Sequence, residues 1–483
     1  MKLDEYVTYD AVALGTLVRD GVIIPSELAQ LANTATNIVN KKLNAAVEIF
    51  DAPIIDNNMP LNTIFSGVPC FKKDLGTVIA GYGHESCSRL TKGVKSPITD
   101  EFSKCMLTSG LQILGRSTSS EFGASITTET FVNGATRNPW NVECSAGGSS
   151  GGSAALVAAG AVPIAHTNDG GGSSRIPASM CGNVGLKTSR GLVSQAPNAN
   201  ELTSPLTSEL CNSRTVRDTA AFLDIVKTNN QGEATFKGIH SDLSFFKQLS
   251  NAPKKYRIAF SCGGWGASPM DAHAKSEVER IACLLVELGH TVEEVTPKVL
   301  ANGKYWQNFQ TIIYCFMYLQ IDFWSDLLGR QPSLENLEPI TFKIYEAGSK
   351  ISTKQHAKAW SYINYVSRKL GTFFQDYDLL LTPTVNQITP TIGSDLASSS
   401  KLDLDSWFEL MRKYIPQTPV ANVTGIPAIS VPVASWKNGL PLGMQFFGAM
   451  GEDAKLLDIA RQLEIAQPWK NRRPDIFAAI SDI

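Results

Sequence analysis

The stretch that decides the fold lies near the centre of the chain, at residues 147–177, and reads GGSSGGSAALVAAGAVPIAHTNDGGGSSRIP. Two segments rich in glycine and serine, 147–153 and 169–174, enclose a run of small apolar residues. A flexible linker would show glycine and serine without apolar interruption. Here residues 154–159 predict a small-residue helix, which can pack very close to its neighbours, and residues 162–165 predict a strand. The pattern therefore predicts two ordered loops joined by a compact helix and strand.

Predicted strands and helices alternate along the rest of the chain. Two helices are expected between Tyr6 and Asn40, with Ser26 as the candidate cap of the second. A helix over Val278–Leu288, between two strands, forms a β-α-β unit and implies parallel pairing. Residues 428–433 resemble a buried strand in which Pro432 marks an end or an edge. We therefore expect an α/β protein with a mixed, mostly parallel central sheet covered by helices on both faces.

Composition narrows the classes of function. The 483 residues carry 43 Lys and Arg against 45 Asp and Glu, a net charge of −2, so no basic excess is present to hold a nucleic-acid backbone. The N-terminus lacks the apolar run of a secretory signal, and the most apolar stretch, 154–166, is too short to span a bilayer. Nine cysteines without C-x-x-C spacing favour reduced thiols. We expect a cytoplasmic protein that acts on a small molecule without nucleic-acid, membrane, metal or cofactor partners; a homodimer stays open.

The two glycine loops each carry serines that could act as a nucleophile. Glycine turns backbone N–H groups toward one point, so three glycines before Ser173 could form an oxyanion hole. A serine hydroxyl needs a base, usually histidine, but none of the six histidines follows a known triad order. A lysine serves if burial makes it neutral near pH 7. Lys73, which follows the apolar segment 67–71, is the candidate.

An alternative interpretation places the nucleophile at Ser149. Residues 147–151 satisfy G-x-S-x-G, the nucleophile elbow of α/β-hydrolases. An elbow follows a hydrophobic strand and needs a later acid and histidine, and residues 143–146 do not resemble such a strand. We therefore favour Ser173 over Ser149 as the nucleophile.

The chain resembles the amidase signature family. The residues that carry the resemblance are G-V-P-x-x-x-K-D at 67–74, G-G-S-S-G-G-S at 147–153, and D-x-G-G-S-x-R-I-P, which runs from Asp169 to Pro177. Further matches are E-F-G at 121–123 and N-x-T-G-x-P-x-x-S-x-P at 422–432. These motifs occur in order over almost the whole chain, which implies one amidase domain over 1–483, with a signature core at about 65–200 and a substrate-shaping region at about 300–420.

The resemblance implies a Ser-cisSer-Lys triad. Carried onto this sequence, Ser173 is the acyl nucleophile, Ser149 is the bridging serine with a cis peptide bond, and Lys73 is the base. The backbone of Gly170, Gly171, Gly172 and Ser173 is implied as the oxyanion hole. Activity should then fall as pH drops through the pKa of Lys73.

Two functions follow from the resemblance. The first is a free amidase that cleaves a linear or cyclic carboxamide, as in the bacterial amidases whose residues resemble 127–140 and 165–169 here. The second is the A subunit of a tRNA-dependent amidotransferase, which takes ammonia from glutamine. A third hypothesis, a non-catalytic scaffold, is disfavoured because all three triad residues are present. The pocket walls are expected from 120–135, 300–350 and 380–420.

Neighbouring polar residues receive structural interpretations. Asp169 and Arg175 are expected to pair and hold the loop, because arginine does not deprotonate. Lys72 is expected to be a surface or structural residue. Ser150, Ser153 and Ser174 are expected to be hydrogen-bonding loop residues. Cys315 is expected in the core rather than in a pocket wall.

Overall fold

The computed structural model describes residues 1–56, 62–197, 205–227 and 244–479. Most of the polar stretch 230–253, which the sequence suggests as a boundary, lies outside these residues. Within them, no helix is long and apolar enough to cross a membrane.

The α-helices of the described residues, in chain order, are α1 (Leu3–Tyr6), α2 (Ala11–Arg19), α3 (Pro25–Leu43), α4 (Glu101–Thr108), α5 (Gly151–Ala158), α6 (Arg175–Cys181), α7 (Val216–Val226), α8 (Phe245–Gln248), α9 (Ala272–Glu287), α10 (Lys304–Leu328), α11 (Pro339–Ser349), α12 (Thr353–Asp376), α13 (Leu404–Tyr414), α14 (Thr418–Thr424) and α15 (Asp453–Ala466).

The strands are β1 (Ala46–Ile54), β2 (Pro69–Lys73), β3 (Gln112–Ser117), β4 (Glu129–Thr130), β5 (Gly134–Ala135), β6 (Arg137–Asn138), β7 (Asn141–Ser145), β8 (Ile164–Asn168), β9 (Val184–Lys187), β10 (Glu209–Ser213), β11 (Arg257–Phe260), β12 (Thr291–Glu294), β13 (Leu379–Pro383), β14 (Ala428–Ser435) and β15 (Pro441–Gly448). Eleven of them form one sheet in the order β1-β3-β2-β8-β10-β9-β14-β15-β13-β11-β12.

The predicted α/β class and mixed sheet are confirmed. Strand β2 pairs in parallel with β3 and β8, and β11 pairs in parallel with β12 and β13. The predicted β-α-β unit is therefore present as β11, α9 and β12. The centre of the sheet, from β8 to β13, is antiparallel, so antiparallel pairings outnumber parallel ones among the described strands.

Two local expectations can be compared with the structure, and the one for Ser26 is wrong. Helix α3 begins at Pro25, one residue before the expected cap Ser26, because proline fits the first helical position, where no N–H is needed. The pairing of β14 with β9 ends at Ser430, so at Pro432 only the side of β14 toward β15 remains paired, and the expected local edge is present. A register irregularity between Val431 and Ala434 accommodates the missing N–H there.

The small-residue helix behaves as expected. Helix α5 is buried along its whole length. A Cβ at Gly152 would lie 2.4 Å from the carbonyl oxygen of Ala45 and from the backbone nitrogen of Thr118. Only glycine permits this approach, which presses the start of α5 against the chain beside β3.

Strand directions bring the functional segments to one edge of the sheet. Strands β2 and β8 run in parallel, with Phe71 opposite Ala165, so Lys73 and Asn168 close their strands at the same edge. The antiparallel β10 begins there, with Glu209 opposite Asn168. The side chains of Lys73, Asn168 and Glu209 thus meet at the edge of the sheet where the second glycine loop, 169–174, leaves β8.

Candidate active site

Lys73 ends β2 with its side chain fully buried. Its Nζ donates to Ser149 Oγ and to Asn168 Oδ1, both at 2.7 Å. Burial lowers the pKa of Lys73 from 10.5 to about 7, although the charges of Glu209 and Asp169 act in the opposite direction. A large fraction of Lys73 is therefore a neutral amine near pH 7, which is the form that accepts a proton.

Ser149 lies in the loop that opens α5. The peptide bond between Gly148 and Ser149 is cis. The carbonyl of Ser149 accepts the N–H of Ser120 at 3.1 Å, and its side chain is 1% exposed. The N–H of Ser150 donates to the carbonyl of Ser173 at 3.2 Å. This hydrogen bond joins the two serine loops directly.

Ser173 is half-buried and lines the same cavity as Ser149. It follows Gly172, whose φ of 126° favours glycine, and a Cβ there would lie 2.7 Å from Thr418 Oγ1. The N–H of Gly172 donates to Asp169 Oδ1 at 2.7 Å, and this removes Gly172 from the expected set of oxyanion donors. Within the described part of the chain, the N–H groups of Gly170, Gly171 and Ser173 have no hydrogen-bond acceptor.

Asp169 and Arg175 form a fully buried ion pair, which confirms the structural interpretation. Arg175 Nε and Nη2 donate to the two oxygens of Asp169, each at 2.9 Å. Arg175 also bonds Gln445 and Asn422, so the glycine loop is tied to α14 and β15. Burial alone would raise the pKa of Asp169, but the guanidinium and the hydrogen bonds outweigh it and hold that pKa at about 2.

Replacing Arg175 by leucine should destabilise the fold by about 3–5 kcal/mol, because Asp169 would remain as a buried charge without its partner. Urea unfolding of both proteins measures the loss. Arg257→Leu is the matched control, since Arg257 pairs with Glu293 through a similar contact that is exposed on both sides, and exposed pairs contribute about 0–1 kcal/mol. Equal destabilisation by the two changes would contradict a structural role for the buried pair.

The sequence does not predict the ring of hydrogen bonds that surrounds Lys73. His166 Nδ1 accepts the backbone N–H of Lys73 at 3.2 Å, and its Nε2 lies 2.7 Å from Glu209 Oε2. Asn168 closes the ring, because its Nδ2 lies 3.5 Å from Glu209 Oε1 while its Oδ1 accepts from Lys73. Burial lowers the pKa of His166 and raises that of Glu209 to about 8. His166 is therefore neutral, and both of its ring nitrogens already have hydrogen-bond partners, so it is not the base for Ser173.

The structure does not favour the nucleophile-elbow alternative. Residues 143–145 lie in β7, where Asn141 and Glu143 are exposed, and β7 pairs with β6 in a separate two-stranded sheet, so the expectation that no hydrophobic strand precedes Ser149 stands. Ser149 contacts a lysine rather than a histidine. The geometry at Ser149 fits a bridging serine better than an elbow nucleophile.

The remaining interpretations can be compared with the structure. Lys72 is 2% exposed and donates to the carbonyl of Lys73, so the surface alternative is wrong and the structural one stands. Ser150, Ser153 and Ser174 all donate hydrogen bonds within the buried loops, as predicted. Cys315 is half-buried on α10 and does not belong to the cavity lining. Among the described residues, no group of three His, Cys, Asp or Glu side chains could hold a metal ion.

A cavity of about 1030 Å³ contains both serines. Its walls include 122–126, much of α10, and Trp407, Phe408, Met411 and Ile415, which lie in the three segments expected from the sequence. A further wall, from residues 75–102, was not expected. It follows the lysine strand as irregular chain without hydrophobic periodicity, so no local pattern indicates it.

Comparison with known proteins identifies the family. The amidase family profile matches residues 27–457. The 6-aminohexanoate-cyclic-dimer hydrolase of Paenarthrobacter ureafaciens is 32% identical over 482 residues, 97% of each chain. The structure of 6-aminohexanoate cyclic dimer hydrolase complexed with substrate has a TM-score of 0.88 and 31% identity, over 97% of this chain and 99% of that one.

A more distant structure is that of the A subunit of glutamyl-tRNA(Gln) amidotransferase from Thermotoga maritima, with a TM-score of 0.75 and 26% identity over 94% of this chain and 95% of that one. The family profile covers most of the sequence, and the cyclic-dimer hydrolase matches it end to end in both sequence and fold. The chain therefore belongs to the amidase signature family and is a hydrolase of amide carbon–nitrogen bonds.

Proposed function

We propose that this amidase cleaves a carboxamide through an acyl-enzyme on Ser173, with Ser149 as proton bridge and Lys73 as base. The observation that carries the proposal is the 2.7 Å contact between Lys73 Nζ and Ser149 Oγ in a cavity that Ser173 also lines. A buried amine beside one serine, with a second serine in the same cavity, fits a relay of protons.

Acylation begins when the hydroxyl proton of Ser173 passes to Ser149 Oγ and the proton of Ser149 passes to neutral Lys73. The Ser173 oxygen bonds to the amide carbon, and the carbonyl oxygen takes the negative charge. The free N–H groups of Gly170, Gly171 and Ser173 are the proposed donors to that oxygen. One such donor contributes roughly 3–4 kcal/mol in hydrolases.

The leaving group departs with the relayed proton. Lys73 returns its proton through Ser149 to the amide nitrogen, the C–N bond breaks, and the amine leaves an ester on Ser173. Water then attacks the ester carbon and gives one proton to the same relay. The C–O bond to Ser173 breaks, and Ser173 recovers its hydrogen while the carboxylic acid leaves.

The substrate is proposed to be a linear or cyclic carboxamide. Similarity to the 6-aminohexanoate-cyclic-dimer hydrolase supports an amide substrate of this general kind. The amidotransferase alternative has less support. Its structural relative, the amidotransferase A subunit, is the more distant one, with a TM-score of 0.75 and 26% identity against 0.88 and 31% for the cyclic-dimer hydrolase.

A screen of amides tests the proposal. Purified protein is incubated with linear, cyclic and aryl amides and with glutamine, and release of amine or ammonia is measured. Mass spectrometry of rapidly quenched protein should find the acyl group on the peptide that contains Ser173. An adduct on Ser149 would contradict the assignment, and glutamine as the preferred substrate would favour the amidotransferase role.

Replacing Glu209 by glutamine should shift the acid limb of the pH profile, where kcat/KM falls as Lys73 becomes protonated, to lower pH. The ionised form of Glu209 raises the pKa of Lys73, so its removal lets the lysine lose its proton more readily. The shift should be small, because burial raises the pKa of Glu209 to about 8 and leaves only a minor fraction ionised below pH 7. Glutamine has an NH2 donor in place of one of the two carboxylate oxygens, and this NH2 would face a donor of His166 or Asn168. Lys73 would therefore also be held less firmly, with a loss in kcat of roughly 10- to 100-fold.

The control for Glu209 is Glu338→Gln. Burial also raises the pKa of Glu338 to about 8, but this carboxylate lies at the start of α11 and is not among the charges that act on Lys73. The Glu338 variant should keep the acid limb of the wild type. An unchanged limb in Glu209→Gln would show that this carboxylate has no electrostatic influence on the base.

A further inference from the structure

The cavity continues from the buried serines to an exposed mouth on α10. Ser149 is 1% exposed, whereas Leu319, Phe323 and Leu327 are 56%, 59% and 62% exposed, and all four line the same cavity. The volume of about 1030 Å³ lies at the upper end of the range of about 300–1,000 Å³ for small-molecule sites. The cavity is therefore larger than one amide group requires.

The α10 wall is a long apolar strip. Phe309, Ile313, Phe316, Phe323 and Leu327 recur at helical spacing along it, and the uncharged Gln320 is the one polar position within this row. From Phe309 to Leu327 the helix advances about 27 Å at 1.5 Å per residue. An extended, narrow ligand would fill such a strip better than a compact one.

Apolar residues from other segments also line the cavity. Among them are Ile98, Phe102, Ile126 and Phe408. None of the charged residues of the lining lies on α10. They are Lys92, Lys95, Asp100, Glu209 and Arg330, and all but Lys95 already hold hydrogen-bond partners among the described residues. A charged group midway along the chain of a ligand would be desolvated without a partner.

The exposed end of the strip points to the same ligand. Leu319, Phe323 and Leu327 are spaced four residues apart and form one continuous apolar stripe on the outer face of α10. Exposed apolar surface that continues into a ligand cavity marks a binding surface rather than ordinary surface scatter. The occupant that accounts for both the stripe and the cavity is a single chain that begins at Ser173 and ends at the mouth.

We propose that the substrate is an amide in which the acyl or the amine part is a long, unbranched, uncharged apolar chain that lies along α10. This inference rests on the proposed amidase function and names its substrate class. Each methylene that enters the strip should add the transfer free energy of one CH₂ to binding, which corresponds to about a fourfold gain in kcat/KM.

Two series of amides test the inference. The first contains p-nitroanilides of straight-chain acids from acetyl to dodecanoyl, and the second contains acetamides of straight-chain amines over the same lengths. In one series, kcat/KM should rise about fourfold per methylene until the chain reaches the mouth. Cleavage of short amides with no gain in either series would overturn the inference and leave the proposed function intact. Failure to cleave any amide would overturn both.

A matched pair of variants locates the chain. Leu327 is the penultimate residue of α10 and Ile465 is the penultimate residue of α15, and the two are 62% and 63% exposed. Only Leu327 lines the cavity. The ratio of kcat/KM for the longest to the shortest substrate should fall about tenfold in Leu327→Asp and stay unchanged in Ile465→Asp. An equal ratio in both variants would place the chain elsewhere and overturn the inference.

Discussion

Ser173→Ala should reduce kcat for amide hydrolysis by roughly 10⁶-fold, the scale of loss when the nucleophile of a serine hydrolase is removed. The physical reason is that no oxygen remains to form the acyl ester, while Lys73 and Ser149 keep their hydrogen bond. The fold should be unaffected, because the carbonyl of Ser173, which accepts from Ser150, is retained.

The measurement combines kinetics with labelling. A fluorophosphonate probe should add one adduct to the wild type, on the peptide that contains Ser173, and none to Ser173→Ala. Ser174→Ala is the neighbouring control. Its hydroxyl donates to Thr167 inside the loop rather than into the cavity, so this variant should stay within about tenfold of the wild type, the scale of one lost hydrogen bond. Wild-type activity in Ser173→Ala would refute the assignment.

The parts of the site that local sequence predicted are those with a local physical signal. Glycines at 147–152 and 170–172 indicate close backbone approach, and small residues indicate a tightly packed helix. The lysine was found because an apolar strand precedes it and because its motif resembles the family pattern. These signals come from neighbours in the chain, so they need no knowledge of the tertiary fold.

The missed residues have no such signal. Glu209 lies 41 residues beyond Asn168, and only the antiparallel pairing of β8 with β10 brings the two together. The sequence does not distinguish His166 from the other histidines, because the local sequence of β8 does not reveal which groups the His166 ring contacts. The same limit applies to residues 75–102, which form a cavity wall only because the chain beyond β2 folds back over the site.

Pairing direction shows a related limit. The β-α-β unit correctly predicted β11 and β12 as parallel neighbours, because a helix connects them. The antiparallel centre, from β8 to β13, joins strands that are distant in sequence, such as β9 and β14. A hydrophobic strand that is buried on both faces has the same sequence pattern whether it pairs in parallel or antiparallel. The prediction from the sequence therefore overestimated the fraction of parallel strand pairs.

Lys73→Met should reduce kcat/KM by roughly 10²- to 10⁴-fold, the usual contribution of general acid–base catalysis. Methionine fills the buried space of the lysine stem without an amine, so the proton of Ser149 has no acceptor. Lys72→Met is the matched control, because Lys72 lies on the same strand, is equally buried, and donates only to a backbone carbonyl. A comparable loss in both variants would show that burial of the strand, rather than the base, was disturbed.

The wild-type pH profile should show activity falling as the pH drops through the pKa of Lys73. The pKa of Lys73 is lowered to about 7 by burial, so the lysine is protonated and inactive as a base below that pH and neutral above it. The slope of log kcat/KM against pH should approach one below pH 7 and flatten above it, the behaviour of a single essential base. The residual activity of Lys73→Met should lose this limb, since no group with that pKa remains in the relay. A wild-type rate that is flat from about pH 5 to 9 would exclude a neutral lysine as the base.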